Sequence, residues 1–386
     1  MDSPIFLTKV ECPVCGTVNE IETIRVGAYT EGERQTDFCP TIIKWRNPRY
    51  QRYHPLLYFT ATCSHCYYTR EFNNSFREWS KDNNFRAYKL KITKERHLEE
   101  LSEPESFIKL VANVLDQENY PDETAILKLM LAAHDELFHD HPSELDLGRF
   151  YLRIAWLFRY INAGNDSDSS PGKPAPSHID DIQRGIEDLN NWIGGLTRNT
   201  GYLNDAVIAQ CDLSGNADER ENYTGCIDEL KMLEDTGNKI VTKLSNLLAE
   251  SKTSAGISVD VGSGETFHNY SSLGEFLSAL KRVWDGVPPN EHEAMRLAVK
   301  YYIGAFESGK QIAHGNQTLQ AAYLIGELSR QVGDHDTARQ YFNTTIKTGQ
   351  AFIHEIRGDR SRTALARKIL EMAMKQGKKN LAEAKS

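Results

Sequence analysis

The sequence lacks the features of membrane-spanning and secreted proteins. It has no run of about 18 apolar residues, and the best candidate, FYLRIAWLFRYI at 150–161, is short and interrupted by Arg153 and Arg159. The N-terminal segment MDSPIFLTKVEC has neither the basic region nor the long apolar core of a secretory signal. We therefore expect a cytoplasmic protein that does not contact a membrane.

Catalytic motifs are also missing. The chain has no glycine-rich phosphate-binding loop, no pattern typical of a Ser-His-Asp triad and no sheltered pair of carboxylates. Three histidines gather in HDELFHDH (134–141), but His134 and His139 are five residues apart and do not share a helix face. They predict no metal site, and we expect a protein that is not an enzyme.

Charge is unevenly distributed along the chain. The net charge is −9, yet residues 1–96 hold 15 basic and 11 acidic side chains. The remainder is strongly acidic, with 30 basic and 43 acidic side chains. An acidic protein is a poor general coat for nucleic acid, so the basic N-terminal part has to be judged separately.

Cysteine is concentrated near the N-terminus. Five of the seven cysteines fall in the first 66 residues, and an odd number in a cytoplasmic protein argues against a disulfide framework. Cys12 and Cys15 form one Cys-x-x-Cys pair, and Cys63 and Cys66 form another. Zinc takes four such thiolates in a tetrahedron, so these residues predict one closed, structural zinc ion. Gly16 suits the first turn better than Tyr67 suits the second.

Cys39, in TDFCP, is the surplus cysteine of this region. Three interpretations stay open: a buried small residue, a thiolate near the metal, or a reactive thiol that would make the protein a thiol/zinc redox sensor. Phe38 and Pro40 flank it and indicate a packed turn. We predict that Cys39 is buried near the metal site and does not react. His54 and His65 are alternative nitrogen ligands.

The patterns along the chain predict an α+β fold, with a small zinc-ribbon-like β head and a mostly α-helical, tetratricopeptide-like body. Residues 1–96 are typical of short strands, including FRAYKLKI at 85–92, whose side chains alternate. Helical periodicity follows. The predicted parts are a cysteine-rich domain at 1–96, a first helical part at 97–164, an insertion at 165–290 with flexible linkers at 165–177 and 251–267 and polar helices, and C-terminal helices at 291–386.

The segment between the cysteine pairs, TIIKWRNPRYQRYHPLLY at 41–58, combines four basic residues with aromatic ones and contains no acid. Such spacing can stack bases and pair with phosphates. In the other interpretation, which we favour, the aromatic residues form the core of the small domain.

The helical part contains a specific pattern at 320–346. Gly326, Gly333, Ala338 and Phe342 occupy the small-residue, turn and large-residue positions of a tetratricopeptide helix pair. The segment 154–164 resembles the first helix of another pair, whose second helix we expect beyond the insertion, at 293–309.

The order of these motifs resembles an uncharacterised bacterial family of unknown function, whose members join an N-terminal CPxCG zinc-ribbon-like part to tetratricopeptide-like helices. The resemblance covers roughly 8–164 and 290–356 and implies a metal-binding head and a helical body. It implies no reaction. The chain departs from the family pattern at Ser64 and Tyr67, and in its long insertion.

Three functional hypotheses follow. The first is a zinc-binding, non-enzymatic scaffold that binds an unidentified protein partner in a helical groove. The second is a nucleic-acid-binding module that uses residues 41–58. The third is the redox sensor that acts through Cys39.

Overall fold

The structure, a computed structural model, describes residues 3–165, 176–214, 217–254, 267–355 and 360–385. The chain divides into two compact units. The first contains Met1–Gly164 and Gly264–Ser386, and the second is Asn165–Ser263.

The first unit begins with short strands and continues with helices, which confirms the predicted α+β class. Its strands are β1 (Ile5–Glu11), β2 (Val18–Ile24), β3 (Tyr29–Glu31), β4 (Ile43–Trp45), β5 (Thr60–Thr62) and β6 (Thr69–Glu71). Its helices before the second unit are α1 (Leu90–Ser102), α2 (Phe107–Ala112), α3 (Pro121–Leu137) and α4 (Glu144–Asn165). After the second unit's α5 (Pro176–Ser214) and α6 (Ala217–Ser254) come α7 (Leu273–Leu280), α8 (Glu291–Ser308), α9 (Asn316–Gln331), α10 (His335–Glu355) and α11 (Arg360–Glu383).

The strands pair as three separate antiparallel hairpins. In the first, β1 and β2 run from the pair Ile5–Ile24 to the pair Glu11–Val18. In the last, the short strands β5 and β6 pair through Ala61 and Arg70. The first and last hairpins therefore each carry a cysteine pair in the turn that connects their two strands.

The strand predicted at 85–92 is wrong. Residues Phe85–Lys89 form a π-helical turn that leads directly into α1. The buried positions explain the error: Phe85, Thr93 and His97 lie on one side at helical spacing and are almost fully buried, whereas Tyr88 is exposed. The alternation of apolar residues in this segment therefore did not reflect which residues are buried.

The strands and helices of the first unit share one core. Trp45 and Leu57, from the segment between the cysteine pairs, belong to the same buried cluster as Ile126, Leu131 and Tyr151 of α3 and α4. The boundary predicted between residues 96 and 97 lies inside α1. The cysteine-rich part is thus packed into the helical part.

The α9–α10 turn has the features expected from its small residues. A Cβ atom on Gly326 would lie 2.9 Å from the ring of Phe342, so only glycine permits this approach. Gly333 has a φ angle of +81° and ends α9, a conformation that glycine adopts without strain. The two helices form a hairpin with Phe342 in its seam.

The helix at α4 pairs with α8 across the insertion, as the sequence predicted. A Cβ atom on Gly304, near the end of α8, would meet the carboxylate of Glu144 at the start of α4. Arg159, near the end of α4, forms a 2.7 Å ion pair with Glu291 at the start of α8. The two helices therefore run in opposite directions.

The second unit is a hairpin of α5 and α6. In α5, Ile186, Ile193 and Thr200 are spaced seven residues apart and lie in a buried seam. A Cβ atom on Gly237 of α6 would lie 3.0 Å from Ile193. A seven-residue repeat of buried positions is typical of coiled coils.

The limits of the predicted insertion differ in part from those of this unit. Residues 267–290 belong to the first unit, and Phe267, Phe276 and Leu280 lie in its main core. The predicted linkers at 165–177 and 251–267 fall largely on residues 166–175 and 255–266, which lie outside the described residues. Residues 251–254, within the second predicted linker, are helical.

Candidate metal centre

The two cysteine pairs occupy the same backbone turn. In the first, the amide of Cys12 donates to the carbonyl of Thr17, and the amide of Gly16 donates to the carbonyl of Cys12, both at 2.9 Å. In the second, Cys63 donates to Tyr68, and Tyr67 donates to Cys63, also at 2.9 Å. Each hairpin therefore turns around its cysteines in the same way.

Both turns need a residue with positive φ after the second cysteine. Gly16 has a φ angle of +76°, and Tyr67 has one of +65°. This conformation is unfavourable for a residue with a Cβ atom. The sequence correctly singled out position 67 as the weaker of the two.

The four sulfur atoms meet between the turns. All of them lie within 4.8 Å of one another, with Cys12 Sγ 3.7 Å from Cys66 Sγ and Cys15 Sγ 3.5 Å from Cys63 Sγ. These distances exceed the length of a disulfide bond, which is about 2.05 Å, and the four cysteines are free thiols. The cluster could hold one metal ion, and it is the one such group among the described residues.

The electrostatics of the cluster favour a cation at its centre. Hydrogen bonds from the thiols of Cys12 and Cys66 lower the pKa of Cys63. The contact with Cys63 raises the pKa of the Cys12 thiol, and the contacts with Cys12 and Cys63 raise the pKa of the Cys66 thiol. Burial raises the pKa of both thiols as well. Ionisation of one thiol therefore disfavours ionisation of the neighbouring thiols, and a cation is needed for all four to ionise together.

Asn19 connects the two turns beside the sulfurs. It is buried on β2, and its Oδ1 accepts from the amide of Ser64 at 2.8 Å and from the Ser64 hydroxyl at 2.9 Å. Its Nδ2 donates to the carbonyl of Thr17 at 2.9 Å and lies 3.5 Å from Cys63 Sγ. Ser64 is thus hydrogen-bonded to Asn19 of the first hairpin.

A buried His-Asp pair fastens the second turn to the helices. His97 on α1 is fully buried, with Nε2 2.8 Å from the carbonyl oxygen of Cys66 and Nδ1 2.6 Å from Asp135 Oδ1. The other carboxylate oxygen of Asp135, on α3, accepts from the amide of Thr69 at 2.7 Å. Both bonds of His97 go to acceptors, so each ring nitrogen donates a proton. Burial alone would lower the pKa of His97, but the Asp135 carboxylate outweighs it and raises that pKa.

Cys39 does not belong to the sulfur cluster. It is buried, as predicted, but its surroundings come from the helical part: the guanidinium of Arg159 on α4 faces its thiol, and the carboxylates of Asp37 and Glu291 lie close by. The loop that contains Cys39, residues 32–40, packs against the helices, so Cys39 lies beside them. The near-metal position considered for Cys39 is therefore replaced by one beside Arg159.

The Cys39 loop is held by buried charges and hydrogen bonds. Asp37 is fully buried and pairs with Arg159 at 2.9 Å. Thr36 donates to Glu327 at 2.6 Å and accepts from the hydroxyl of Tyr323 at 2.8 Å, both on α9. Burial raises the pKa of Cys39 to about 12, although Arg159 opposes this shift. A thiol in this setting is poorly nucleophilic at neutral pH.

The histidines considered as ligands have other surroundings. His54 is buried and accepts from the amide of Leu56 at 3.1 Å, which starts a short 3-10 helix; burial lowers its pKa to about 4. His65 is exposed. His134 and His139 bond to Glu100 and Glu136 at 2.8 and 2.9 Å.

The aromatic residues of 41–58 are packed together. Trp45 is buried, with Tyr50 at 5.8 Å and Tyr58 at 6.4 Å between ring centroids, and its indole nitrogen donates to the carbonyl of Tyr53 at 2.8 Å. This arrangement agrees with the interpretation that they form a core. Four basic side chains of this segment remain exposed: Lys44, Arg46, Arg49 and Arg52.

Sequence reasoning missed Asn19, His97 and Asp135. In the bonds just described, Asn19 is 44 residues from Cys63 in the sequence, His97 is 31 residues from Cys66, and Asp135 is 38 residues from His97. No local pattern marks them, although a histidine on the buried side of a helix was a usable signal.

None of the helices in the described parts of the chain is long and apolar enough to cross a membrane.

No curated protein and no solved structure matches the chain. The model of a family described as uncharacterised and conserved in bacteria, DUF2225, matches residues 5–173 and 272–366, which is more than half of the 386 residues. The chain therefore belongs to the bacterial family DUF2225.

Proposed function

We propose that this protein is a zinc-binding, non-enzymatic scaffold of the bacterial cytoplasm. The observation that carries the proposal is the closed set of four sulfurs at Cys12, Cys15, Cys63 and Cys66. With a zinc–sulfur distance near 2.3 Å, sulfur atoms at the corners of a tetrahedron lie about 3.8 Å apart. The pairs Cys15–Cys63 and Cys12–Cys66, with sulfurs 3.5 and 3.7 Å apart, suit that size.

The four thiolates leave no ligand position open for water or substrate, which is the arrangement of structural rather than catalytic zinc. A reducing compartment keeps such thiols available. The zinc would connect the β1–β2 and β5–β6 hairpins, which are too small to be stable on their own. In this proposal the two hairpins form a zinc-ribbon-like head.

The partner would bind in a groove of the helical part, where the helices form tetratricopeptide-like pairs. A cavity of about 940 Å³ lies between the loop at residues 32–38 and helices α4, α8, α9 and α11. Phe38, Tyr302, Leu324 and Met372 contribute apolar surface to it. Apolar grooves in helical arrays of this type mostly bind other proteins.

The metal part of the proposal is tested by elemental analysis of purified protein. We expect one zinc ion per chain, which the Cys12→Ser and Cys63→Ser variants lose and the Cys39→Ser variant keeps. Protein without zinc, or a Cys12→Ser variant with full zinc content, would contradict it.

The groove is tested by affinity capture from the native bacterial cell, with Met372→Glu as the variant. Met374, on the same helix, is 47% exposed and does not line the cavity, so Met374→Glu is the matched control. We expect a protein that wild type and Met374→Glu capture and Met372→Glu does not, and that rebinds when purified. A partner that binds the Met372→Glu variant as well as it binds wild type would show that binding occurs outside this groove.

A second candidate function is nucleic-acid binding through 41–58. The exposed Lys44, Arg46, Arg49 and Arg52 favour it, and none of them forms a described ion pair. The packed aromatic rings argue against base stacking, so binding would depend on phosphates and weaken steeply with salt. The triple replacement of Arg46, Arg49 and Arg52 should then abolish it. Absence of gel retardation of single-stranded RNA and DNA at about 50 mM salt would exclude this function.

A further inference from the structure

Apolar side chains form an exposed stripe along α6, in the second unit. Cys226, Leu233 and Ile240 are spaced seven residues apart, which returns to nearly the same helix face every two turns. Leu233 is 48% exposed and Ile240 47%, and Cys226 is also exposed. Leu244, one turn after Ile240, is 36% exposed. We name these four residues the α6 stripe.

The α6 stripe lies beside the seam that joins α5 to α6. On α6 that seam uses Ile227, which is 5% exposed, and Gly237, which faces Ile193 of α5. The stripe residues lie next to this seam around the circumference of α6, but α5 does not cover them. Trp192 precedes Ile193 and is 55% exposed. A hairpin of two helices has no third element with which to cover such a face.

Charge is polarised along the same helix. The half of α6 from 217 to 235 contains seven acidic residues and two basic ones, whereas the half from 236 to 254 contains three lysines and one glutamate. Two of the exposed charges, Glu229 and Lys243, flank the α6 stripe on its side away from the seam. A surface that is acidic at one end and basic at the other is complementary to a reversed copy of itself.

We infer that a second copy of this chain covers the α6 stripe, with the two α6 helices antiparallel about a twofold axis beside Thr236. Leu233 and Ile240 are equally distant from the point between residues 236 and 237, so Leu233 of one copy lies opposite Ile240 of the other. Glu229 and Lys243 are equally distant from residue 236, half a residue from that point, and their long side chains form two equivalent ion pairs. This is the self-complementary pattern of a twofold interface.

The alternative parallel pairing would bring the acidic halves together, and like charges in contact are repulsive. The helix has 38 residues and is about 57 Å long, so the contact extends over several turns on either side of the axis. The family model leaves residues 174–271 unmatched. The dimer is therefore a property of the insertion in this chain and does not depend on the metal centre or the groove.

Sedimentation of the full-length, metal-loaded chain from about 1 to about 100 µM tests the inference. We expect a reversible dimer, and a monomer throughout for the double variant Leu233→Glu with Ile240→Glu. Both residues are half exposed, so the hairpin should keep its fold, which circular dichroism checks. Thr242 is exposed and lies on the side of the helix opposite Leu233, so Thr242→Glu is the control, which should still dimerise.

Charge reversal tests the antiparallel arrangement. Glu229→Lys alone and Lys243→Glu alone should each raise the dissociation constant of the dimer about tenfold, because each creates two like-charged contacts. The combined variant should return it to near the wild-type value. A wild-type monomer at every concentration, a dimer that the double glutamate variant leaves unchanged, or a combined variant no better than the single ones would overturn the inference.

Crosslinking locates the axis. The Thr236→Cys variant should form a disulfide between copies under mild oxidation, identified by peptide mapping. Ser245→Cys is the control, because two copies of that position would lie about 25 Å apart. Crosslinking through position 245 instead of 236 would contradict the proposed register.

Discussion

The two cysteine turns are alike in backbone and different in what surrounds them. The first, at Cys12–Thr17, contacts other residues of the N-terminal part, such as Trp79, which donates to the carbonyl of Glu11 at 2.9 Å. The second, at Cys63–Tyr68, is bonded to α1 and α3 through His97 and Asp135. The turn with glycine is buried at Cys12 and Val14, but none of its described hydrogen bonds goes to α1 or α3. The turn with tyrosine is the one that the helices hold, so tertiary bonds offset its unfavourable φ angle.

The largest expected effect is that of removing the metal. Structural zinc contributes on the order of 10 kcal/mol to folding in small domains, so chelation should destabilise both hairpins. Because the Cys66 carbonyl accepts a hydrogen bond from His97, the effect should extend into α1. It should not extend into α10 and α11, most of whose buried apolar residues lie in a separate core cluster. Hydrogen exchange read by mass spectrometry should show faster exchange in β1, β2, β5, β6 and α1 only.

The Cys39→Ser variant serves as the control, since it should keep its metal and its wild-type exchange pattern. Equal acceleration in α1 and α10 after chelation would contradict the comparison. So would an α1 that does not respond at all, since the second turn would then be no more firmly joined to the helices than the first.

The next largest effect should come from the Asp135→Ala variant. It leaves a buried histidine without its counterion and the amide of Thr69 without an acceptor. Breaking a buried ion pair from one side typically costs about 3–5 kcal/mol. We expect a loss of that order in the free energy of unfolding, measured by urea denaturation of the metal-loaded protein.

Asp140→Ala is the matched control for this measurement. Asp140 is paired with Arg96 at 3.0 Å, but its side chain is 65% exposed, and surface pairs contribute about 1 kcal/mol or less. If both variants lost the same stability, the His97–Asp135 pair would not be the connection that distinguishes the second turn.

The sequence predicted the parts of this arrangement that depend on local spacing. Two Cys-x-x-Cys turns identified the sulfur cluster, and small residues at fixed intervals identified the α9–α10 turn. The connection to the helices could not be predicted, because His97 and Asp135 meet only after α1 and α3 pack together. The error at 85–92 has a related cause: the segment alternates like a strand, but its burial is set by the helix that follows.

The position of Cys39 was also beyond local reasoning. Its flanking residues correctly indicated a buried turn, but nothing near it in the sequence pointed to Arg159, 120 positions away. A loop between two metal-binding turns can extend well away from the metal. Sequence distance from the ligands was therefore a poor guide to its surroundings.

A smaller effect, of the same sign at both turns, should come from exchanging glycine and alanine. At position 16, a Cβ atom would meet nothing closer than 3.8 Å, so Gly16→Ala should introduce only the cost of the positive φ angle, about 1–2 kcal/mol. At position 67, Tyr67→Gly and Tyr67→Ala both lose the ring, so their difference isolates the same cost. We expect the glycine variant to be more stable than the alanine variant by about 1 kcal/mol in urea denaturation.

The loss of stability in Gly16→Ala is the reference for the difference in stability between Tyr67→Gly and Tyr67→Ala. A difference near zero between Tyr67→Gly and Tyr67→Ala, together with a clear loss for Gly16→Ala, would mean that the second turn changes its conformation when the ring is removed. The two turns would then be alike only because Tyr67 is packed against the core.

The smallest effect should be that of a thiol reagent on Cys39. Its thiol is buried, like those of Cys12, Cys63 and Cys66. Its surroundings, however, are set by Arg159, Asp37 and Glu291 rather than by other sulfurs. With its pKa raised to about 12 by burial, only a very small fraction is thiolate at pH 7, and the thiolate is the reactive form. Iodoacetamide should therefore modify Cys39 in the metal-loaded protein more slowly than it modifies a free model thiol, and without releasing zinc. Cys226, which is exposed in the single chain, provides the control and should react first when the protein is diluted to about 1 µM or below, where the dimer is dissociated. Rapid labelling of Cys39 accompanied by zinc release would show that its loop opens in the native protein and would favour the redox-sensor hypothesis over the scaffold.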